Sequence, residues 1–102
     1  MIGGANPESS AVHDAYTVGR LIAEKGALLV CGGLTGVMEA AARGCREAGG
    51  LSIGILPGEN RESANPFIDI PVATGMGYSR NALVVMNSDV LIAVDGKYGT
   101  LS

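Results

Sequence analysis

Glycine in this chain is concentrated in short runs that follow apolar segments, and such runs could bind an anion. The most complete run is 32–36 (GGLTG), and another lies near the carboxyl end at 96–100. Glycine has no Cβ, so a ligand can approach the backbone N–H groups closely. Where such a loop opens a helix, the unpaired N–H groups and the helix dipole favour phosphate. The candidate ligand-binding residues in these runs are Gly32, Gly33, Thr35, Gly36, Gly96, Gly99 and Thr100. The alternative is that the glycines only form tight turns.

Two charged side chains are candidates for chemistry at such a site. Arg80 lies in the segment 75–81 (GMGYSRN), where its guanidinium could bind a phosphate through two parallel hydrogen bonds or polarise a sugar hydroxyl. Glu39 falls in the first turn of a predicted helix and could act as an acid or base, or bind a ribose. A carboxylate there also stabilises a helix through the dipole alone. Either side chain could instead simply be exposed to solvent.

The elements that must position these residues alternate between helix and strand. Helical spacing and composition predict three helices, and short, mainly apolar runs predict four strands. The predicted helices are 10–25, 37–48 and 79–87, and the predicted strands are 27–31, 51–56, 68–73 and 90–94. Pro71 places its strand at a sheet edge. This alternation indicates an α/β fold with a doubly wound parallel sheet, formed by a single domain over 1–102.

The glycine runs share a position relative to the predicted strands. Runs at 3–4, 32–36, 57–58 and 96–100 each follow an apolar segment. In a parallel sheet the carboxyl ends of the strands lie at one edge, where open α/β sheets bind ligands. We therefore expect the four runs to form one ligand site.

Composition excludes several other function classes. The formal net charge of −3 argues against binding to a nucleic-acid backbone. No apolar run is long enough for a membrane span, and no basic stretch precedes an apolar stretch as in a signal peptide, so we expect a cytoplasmic location. Cys31 and Cys45 form no C-x-x-C pair and are expected to be reduced and buried, and His13 is the only histidine, so no metal site is expected. Neither G-x-G-x-x-G nor the Walker A pattern occurs.

Four ordered segments resemble the motifs of the LOG-like (lysine-decarboxylase-like) Rossmann superfamily. These segments are 31–44 (CGGLTGVMEAAARG), 54–58 (GILPG), 75–81 (GMGYSRN) and 96–102 (GKYGTLS). Within the superfamily the sequence is most similar to the branch that contains the molybdenum-cofactor carrier proteins. The resemblance covers essentially the whole chain. It implies a three-layer, Rossmann-like fold, a homodimer or higher homo-oligomer, and a site for a phosphorylated ligand.

The resemblance to the LOG enzymes is uneven at the residues that would carry hydrolysis. In those enzymes the ligand is a nucleoside 5′-monophosphate whose N-glycosidic bond is broken. Arg80 matches the arginine of their Arg-Lys pair, but Asn81 stands in place of the lysine. The run at 96–100 matches part of their P-G-G-x-G-T-x-x-E motif, whose catalytic glutamate would fall one position beyond Ser102. Hydrolysis would then need another carboxylate, for which Glu39 is the candidate.

The predicted function is therefore the binding of a phosphorylated small ligand, with no further cofactor required. That ligand is a nucleotide or a pterin phosphate such as the molybdenum cofactor. The alternatives are a nucleoside 5′-monophosphate phosphoribohydrolase and a structural domain without a ligand. Members of the superfamily extend beyond this chain at both ends, so we expect a fragment or an abbreviated member with an incomplete sheet. Its exposed apolar surface would be covered by self-association.

Overall fold

The structure, a computed structural model, describes residues 9–92 and residue 94. Within this part of the chain, there are three α-helices and three strands, and two of the strands follow one another without an α-helix between them. The helices are α1 (Ser9–Glu24), α2 (Val37–Glu47) and α3 (Arg80–Met86), and the strands are β1 (Leu29–Cys31), β2 (Ser52–Leu56) and β3 (Ile70–Ala73). Single 3-10 turns at Arg61–Ser63 and Gly77–Ser79 precede β3 and α3.

The three strands form a parallel sheet in the order β1-β2-β3. Leu29 pairs with Ser52, and Ile53 pairs with Ile70. Pro71 cannot donate a ladder hydrogen bond, and it lies in β3 at an edge of the described sheet, as predicted. Because the strands are parallel, the loops that follow them all leave from the same edge.

Helices cover both faces of the sheet, which gives the three layers of a Rossmann-like α/β fold. Leu29 and Cys31 point to one face and belong to a core cluster with α1 and α2 residues such as Ala15 and Val37. The opposite face carries apolar side chains that line, together with Leu83 of α3, an apolar groove of about 610 Å³. These sheet residues are Val30, Ile53, Ile55 and Val72.

α1 and α2 cross with their backbones almost in contact. A Cβ on Gly19 of α1 would lie 2.0 Å from the carbonyl oxygen of Ala41, and a Cβ on Gly44 of α2 would lie 2.1 Å from that of Tyr16. The core between the helices is therefore made largely of alanine and glycine. This close packing explains some of the 16 glycines of the chain without any ligand.

The predicted strand at 90–94 is not formed by the residues that the structure describes there. Residues 90–92 and 94 have no regular secondary structure, although Val94 is buried in the core. A strand is defined by its ladder of hydrogen bonds, and the ladders of the described sheet join only β1, β2 and β3. The predicted glycine runs at 3–4 and 96–100 lie outside the described residues.

The structure also places the two cysteines and the histidine, and it bears on whether a described helix could cross a membrane. Cys31 and Cys45 are both free and buried, as predicted. His13 lies exposed on α1. Across residues 9–92 and 94, no helix has the length and apolarity needed to cross a membrane.

Candidate functional site

Three loops meet at the carboxyl edge of the sheet. They are the glycine loop (32–36) after β1, Pro57-Gly58 after β2, and 74–79 after β3. The last two are joined by backbone hydrogen bonds: the N–H of Gly75 donates to the carbonyl of Gly58 at 2.9 Å, and the N–H of Gly77 to that of Pro57 at 2.9 Å. This contact fixes the segment that leads into α3, and thereby the position of the first α3 residue, Arg80.

The glycine loop has a backbone conformation that other residues rarely adopt. Gly33 and Gly36 have φ values of 78° and 72°. A Cβ on Gly33 would also lie 2.8 Å from Cδ2 of Leu56, so both backbone and space require glycine there. Gly36 is the N-cap of α2 and makes no side-chain cap, so the helix opens directly from the loop.

The loop and the first turn of α2 present unpaired backbone donors. Helix geometry leaves the first N–H groups of α2 without an intrahelical partner, and the first backbone hydrogen bond of the helix runs from Ala40 to Gly36 at 3.0 Å. Within the described residues, no acceptor receives the N–H groups of Leu34, Thr35 or Val37. A run of free N–H groups at a helix N-terminus is a favourable position for an anion.

Arg80 extends from the start of α3 toward this loop. A Cβ on Gly32 would lie 2.7 Å from Nη2 of Arg80 and 2.5 Å from Sδ of Met38, so the guanidinium packs directly on the Gly32 backbone. Arg80 is only 5% exposed, and burial lowers the pKa of its guanidinium. Because Gly32 has no Cβ, it leaves the space that the Arg80 side chain occupies.

The polar partners of Arg80 are few. Its Nη1 donates to the side-chain oxygen of Asn81, and its Nε has no hydrogen-bond partner. No carboxylate among the described residues lies within ion-pair distance of it. A buried cation without a counter-charge is unfavourable, and the described residues leave the charge of Arg80 uncompensated.

Cys31 lies at the base of the same site. The thiol is fully buried, and this burial raises its pKa, against the smaller opposing effects of the Gly33 N–H and the Arg80 charge. The buried thiol is therefore neutral at neutral pH and provides no counter-charge to Arg80.

Two further predicted site residues, Thr35 and Glu39, lie in or directly after the glycine loop, and a second arginine, Arg61, lies between β2 and β3. Thr35 is exposed in the glycine loop, and Glu39 is half-buried in the first turn of α2, without a hydrogen bond or ion pair to any described residue. Arg61 is exposed in a 3-10 turn. The predicted ligand-binding residues at 96–100 lie outside the described residues.

Sequence reasoning missed Asn65, which is buried and holds the glycine loop. Its Nδ2 donates to the carbonyl oxygens of Leu34 at 2.7 Å and Gly33 at 3.3 Å, and its backbone N–H donates to Gly33 at 2.9 Å. Its Oδ1 accepts the N–H of Phe67 at 3.0 Å. The Asn-Pro pair at 65–66 is a turn signal, but nothing local in the sequence relates that turn to a loop more than thirty residues earlier.

The part of the chain that the structure describes contains no cluster of three or more His, Cys, Asp or Glu side chains that could hold a metal ion. Among the described residues, the carboxyl edge offers backbone N–H groups and the guanidinium of Arg80, with the Thr35 hydroxyl and the Glu39 carboxylate nearby in sequence.

Solved structures with known ligands are similar to this chain. The molybdenum cofactor binding protein of Rippkaea orientalis is 41% identical, with a TM-score of 0.90 over 92% of this chain. The molybdenum cofactor carrier protein of Chlamydomonas reinhardtii is 36% identical, with a TM-score of 0.80 over 91% of this chain. The chain spans 59% and 61% of the lengths of these two proteins.

Sequence relatives extend the comparison. An uncharacterised protein of Archaeoglobus fulgidus is 49% identical over the whole chain, which corresponds to 67% of that protein. A rice (Oryza sativa subsp. japonica) protein, named as a probable cytokinin riboside 5′-monophosphate phosphoribohydrolase, is 32% identical over 96% of this chain and 42% of its own length. Residues 1–102 match the SLOG cluster4 family from end to end, and the chain belongs to that family.

Proposed function

We propose that this protein binds a phosphorylated small ligand, either a nucleotide or a pterin phosphate of the molybdenum-cofactor type. The phosphate would accept hydrogen bonds from the free N–H groups of the glycine loop and the first turn of α2. The guanidinium of Arg80 would supply the compensating positive charge. Gly96, Gly99 and Thr100, from the resemblance, would complete the phosphate site.

One observation carries this proposal: Arg80 is buried at the carboxyl edge with an unpartnered Nε and no described carboxylate beside it. An anion bound there would remove the cost of the uncompensated charge and would gain a charge-assisted hydrogen bond. The relatives support the ligand class, because two proteins of closely similar structure bind or carry the molybdenum cofactor.

The test is a calorimetric titration with AMP, with GMP and with a molybdenum-cofactor preparation. We expect at least one to bind wild type, and Arg80→Ala to weaken that binding about tenfold to a hundredfold, since a hydrogen bond to a charged group contributes about 1.5–3 kcal/mol. Arg61→Ala is the matched control, because Arg61 is an exposed arginine elsewhere. If Arg80→Ala binds as tightly as wild type, the site is wrongly assigned.

The rice relative favours a second candidate, the hydrolysis of nucleoside 5′-monophosphates. In that reaction Arg80 would bind the substrate, and Glu39, half-buried in the first turn of α2, would be the candidate acid or base. Incubation with AMP decides between the two functions. Release of adenine and ribose 5-phosphate would indicate the hydrolase, and binding without release would indicate a carrier or sensor. If none of the three probes binds, a structural role without a ligand is favoured.

We also propose that the protein forms a homodimer or a higher homo-oligomer. Large apolar side chains remain exposed on α3 and just beyond it, and a neighbouring groove is lined mainly by apolar residues. Apolar surface of this kind is typical of an interaction site.

A further inference from the structure

We propose that Asn65 is the positioning residue of the anion site: its amide holds the carbonyls of Gly33 and Leu34 so that the N–H groups of Leu34 and Thr35 face the ligand. This inference rests on the proposed function, because it concerns the same glycine loop. It assigns a role to a residue in the segment between β2 and β3, far from the loop in sequence.

All polar atoms of the Asn65 side chain are used in this contact. Nδ2 donates one hydrogen to Leu34 at 2.7 Å and the other to Gly33 at 3.3 Å, and Oδ1 accepts from Phe67 at 3.0 Å. The side chain is 6% exposed, so water competes little for these hydrogen bonds. The carbonyl of Gly33 accepts a second hydrogen bond, from the Asn65 backbone N–H at 2.9 Å.

The orientation of the free donors follows from the planarity of the peptide unit. In a trans peptide the C=O and the next N–H point in opposite directions. The peptide that carries the Gly33 carbonyl also carries the N–H of Leu34, and the peptide that carries the Leu34 carbonyl also carries the N–H of Thr35. When Asn65 draws both carbonyls to its side of the loop, both N–H groups point away from it. Neither N–H has an acceptor within the described residues.

The loop needs such a restraint because of its glycines. Gly33 begins the first of the two peptides and Gly36 lies one residue after the second, and glycine has access to far more backbone conformations than other residues. A free loop would lose that freedom when the ligand binds, which would lower the affinity. The hydrogen bonds from Asn65 impose the binding conformation in advance.

Asn65→Asp tests this proposal with almost no change in shape. The variant keeps an oxygen that can accept the Phe67 N–H, but an ionised carboxylate cannot donate to the two carbonyls. The matched control is Asn60→Asp, which adds the same charge to the same segment. Asn60 is exposed, and its Oδ1 only accepts the N–H of Glu62 at 2.8 Å, a role that aspartate retains.

The probe is AMP, GMP or the molybdenum-cofactor preparation, whichever wild type binds most tightly. At neutral pH we expect Asn65→Asp to weaken binding about tenfold or more, and Asn60→Asp to change it less than about twofold. Protonation of the introduced carboxyl restores one O–H donor toward Leu34. The affinity ratio of wild type to Asn65→Asp should therefore shrink as the pH falls toward about 5, whereas the ratio to Asn60→Asp should stay constant.

Hydrogen exchange of wild type provides a measurement that does not depend on the folding of a variant. The bound probe should slow exchange at the amides of Leu34 and Thr35. Equal affinities of Asn65→Asp and Asn60→Asp would overturn the role of Asn65 and leave the proposed function intact. Unchanged exchange at both amides with the probe bound would overturn the orientation that Asn65 is proposed to impose, and with it the loop hydrogen bonds of the proposed phosphate site. If wild type binds none of the probes, the proposed function fails, and the role of Asn65 in binding fails with it.

Discussion

At the scale of single residues, the candidate site depends on the contact between Gly32 and Arg80. Gly32 does not have a positive φ, so its backbone conformation does not require glycine. The lack of space for a Cβ is what favours glycine at this position. That space is occupied by two flexible side-chain ends, Sδ of Met38 and the guanidinium of Arg80. A methyl group at position 32 would therefore displace side chains and leave the backbone in place.

Gly32→Ala should reduce ligand binding more than it reduces stability. The new Cβ would lie 2.7 Å from Nη2 of Arg80, so the guanidinium must move away from the phosphate position. We expect about tenfold weaker binding, from the loss of a charge-assisted hydrogen bond, and a loss of about 1 kcal/mol in the free energy of unfolding. Titration calorimetry and urea denaturation measure the two quantities.

The matched control for this prediction is Gly58→Ala. Gly58 also follows a strand at the carboxyl edge, but a Cβ there would meet nothing within 4 Å. Both its affinity and its stability should equal those of wild type. Wild-type affinity in Gly32→Ala would mean that Arg80 does not bind the ligand from its present position.

Residues with a local signal could be predicted from the sequence, and residues that act across the fold could not. The glycine loop could be predicted because a glycine run directly after a short apolar segment is a local signal for a turn at a strand end. The place of Arg80 at a helix start could be predicted too, and its role in binding stays a prediction. The role of Asn65 could not be predicted, since its side-chain amide donates to Leu34 and Gly33, which precede it by 31 and 32 positions. For the same reason no local pattern indicates the role of Asp69, which accepts hydrogen bonds from Ser52 at 2.9 Å and from Arg46 at 3.1 Å.

At the scale of elements, the predicted helix at 37–48 and strand at 51–56 agree with α2 (Val37–Glu47) and β2 (Ser52–Leu56) within one residue at each end. Their signals are local: an alanine- and glutamate-rich stretch, two glycines that end it, and a mainly apolar run. The predicted strand at 90–94 is not formed by the residues described there, since a strand also requires ladder hydrogen bonds to a neighbour and an apolar run alone does not indicate them. The close crossing of α1 and α2 was not anticipated, because helical periodicity shows which residues face inward but not how closely two backbones approach.

Gly44→Ala should destabilise the protein even though alanine is the better helix former. Helix propensity alone would favour alanine by about 1 kcal/mol. Here the new Cβ would lie 2.1 Å from the carbonyl oxygen of Tyr16, which is backbone and cannot rotate away. The helices would have to separate, and we expect the free energy of unfolding to fall by about 1–3 kcal/mol in urea denaturation.

His13→Ala is the control for the crossing, because it changes helix propensity at an exposed position of α1. Its free energy of unfolding should be unchanged or slightly higher. A Gly44→Ala protein that is more stable than wild type would contradict the close crossing. α2 also carries the free N–H groups of the site at its other end, so a shift of this helix should also weaken ligand binding.

At the scale of the whole molecule, two of the most exposed large apolar side chains among the described residues lie at the end of α3 and just after it. Met86 is 76% exposed at the end of α3, and Val90 is 75% exposed shortly after it. Val90 also lines the groove of about 610 Å³ over one face of the sheet. Two neighbouring side chains of this size, beside an apolar groove, form a surface that a second copy of the chain could cover.

Light scattering after size-exclusion chromatography should therefore give a mass of at least twice that of one chain. The double variant Met86→Lys with Val90→Lys should reduce the mass to that of a monomer, because lysine cannot be buried unpaired at an apolar interface without a large desolvation cost. Leu51→Lys is the control, since Leu51 is a similarly apolar side chain, 52% exposed, at the opposite end of β2 from the ligand site. Because Met86 lies six residues after Arg80 on the same short helix, an interface there would also restrict the motion of α3. A wild-type monomer that persists at high protein concentration would contradict self-association, and an unchanged mass in the double variant would place the interface elsewhere.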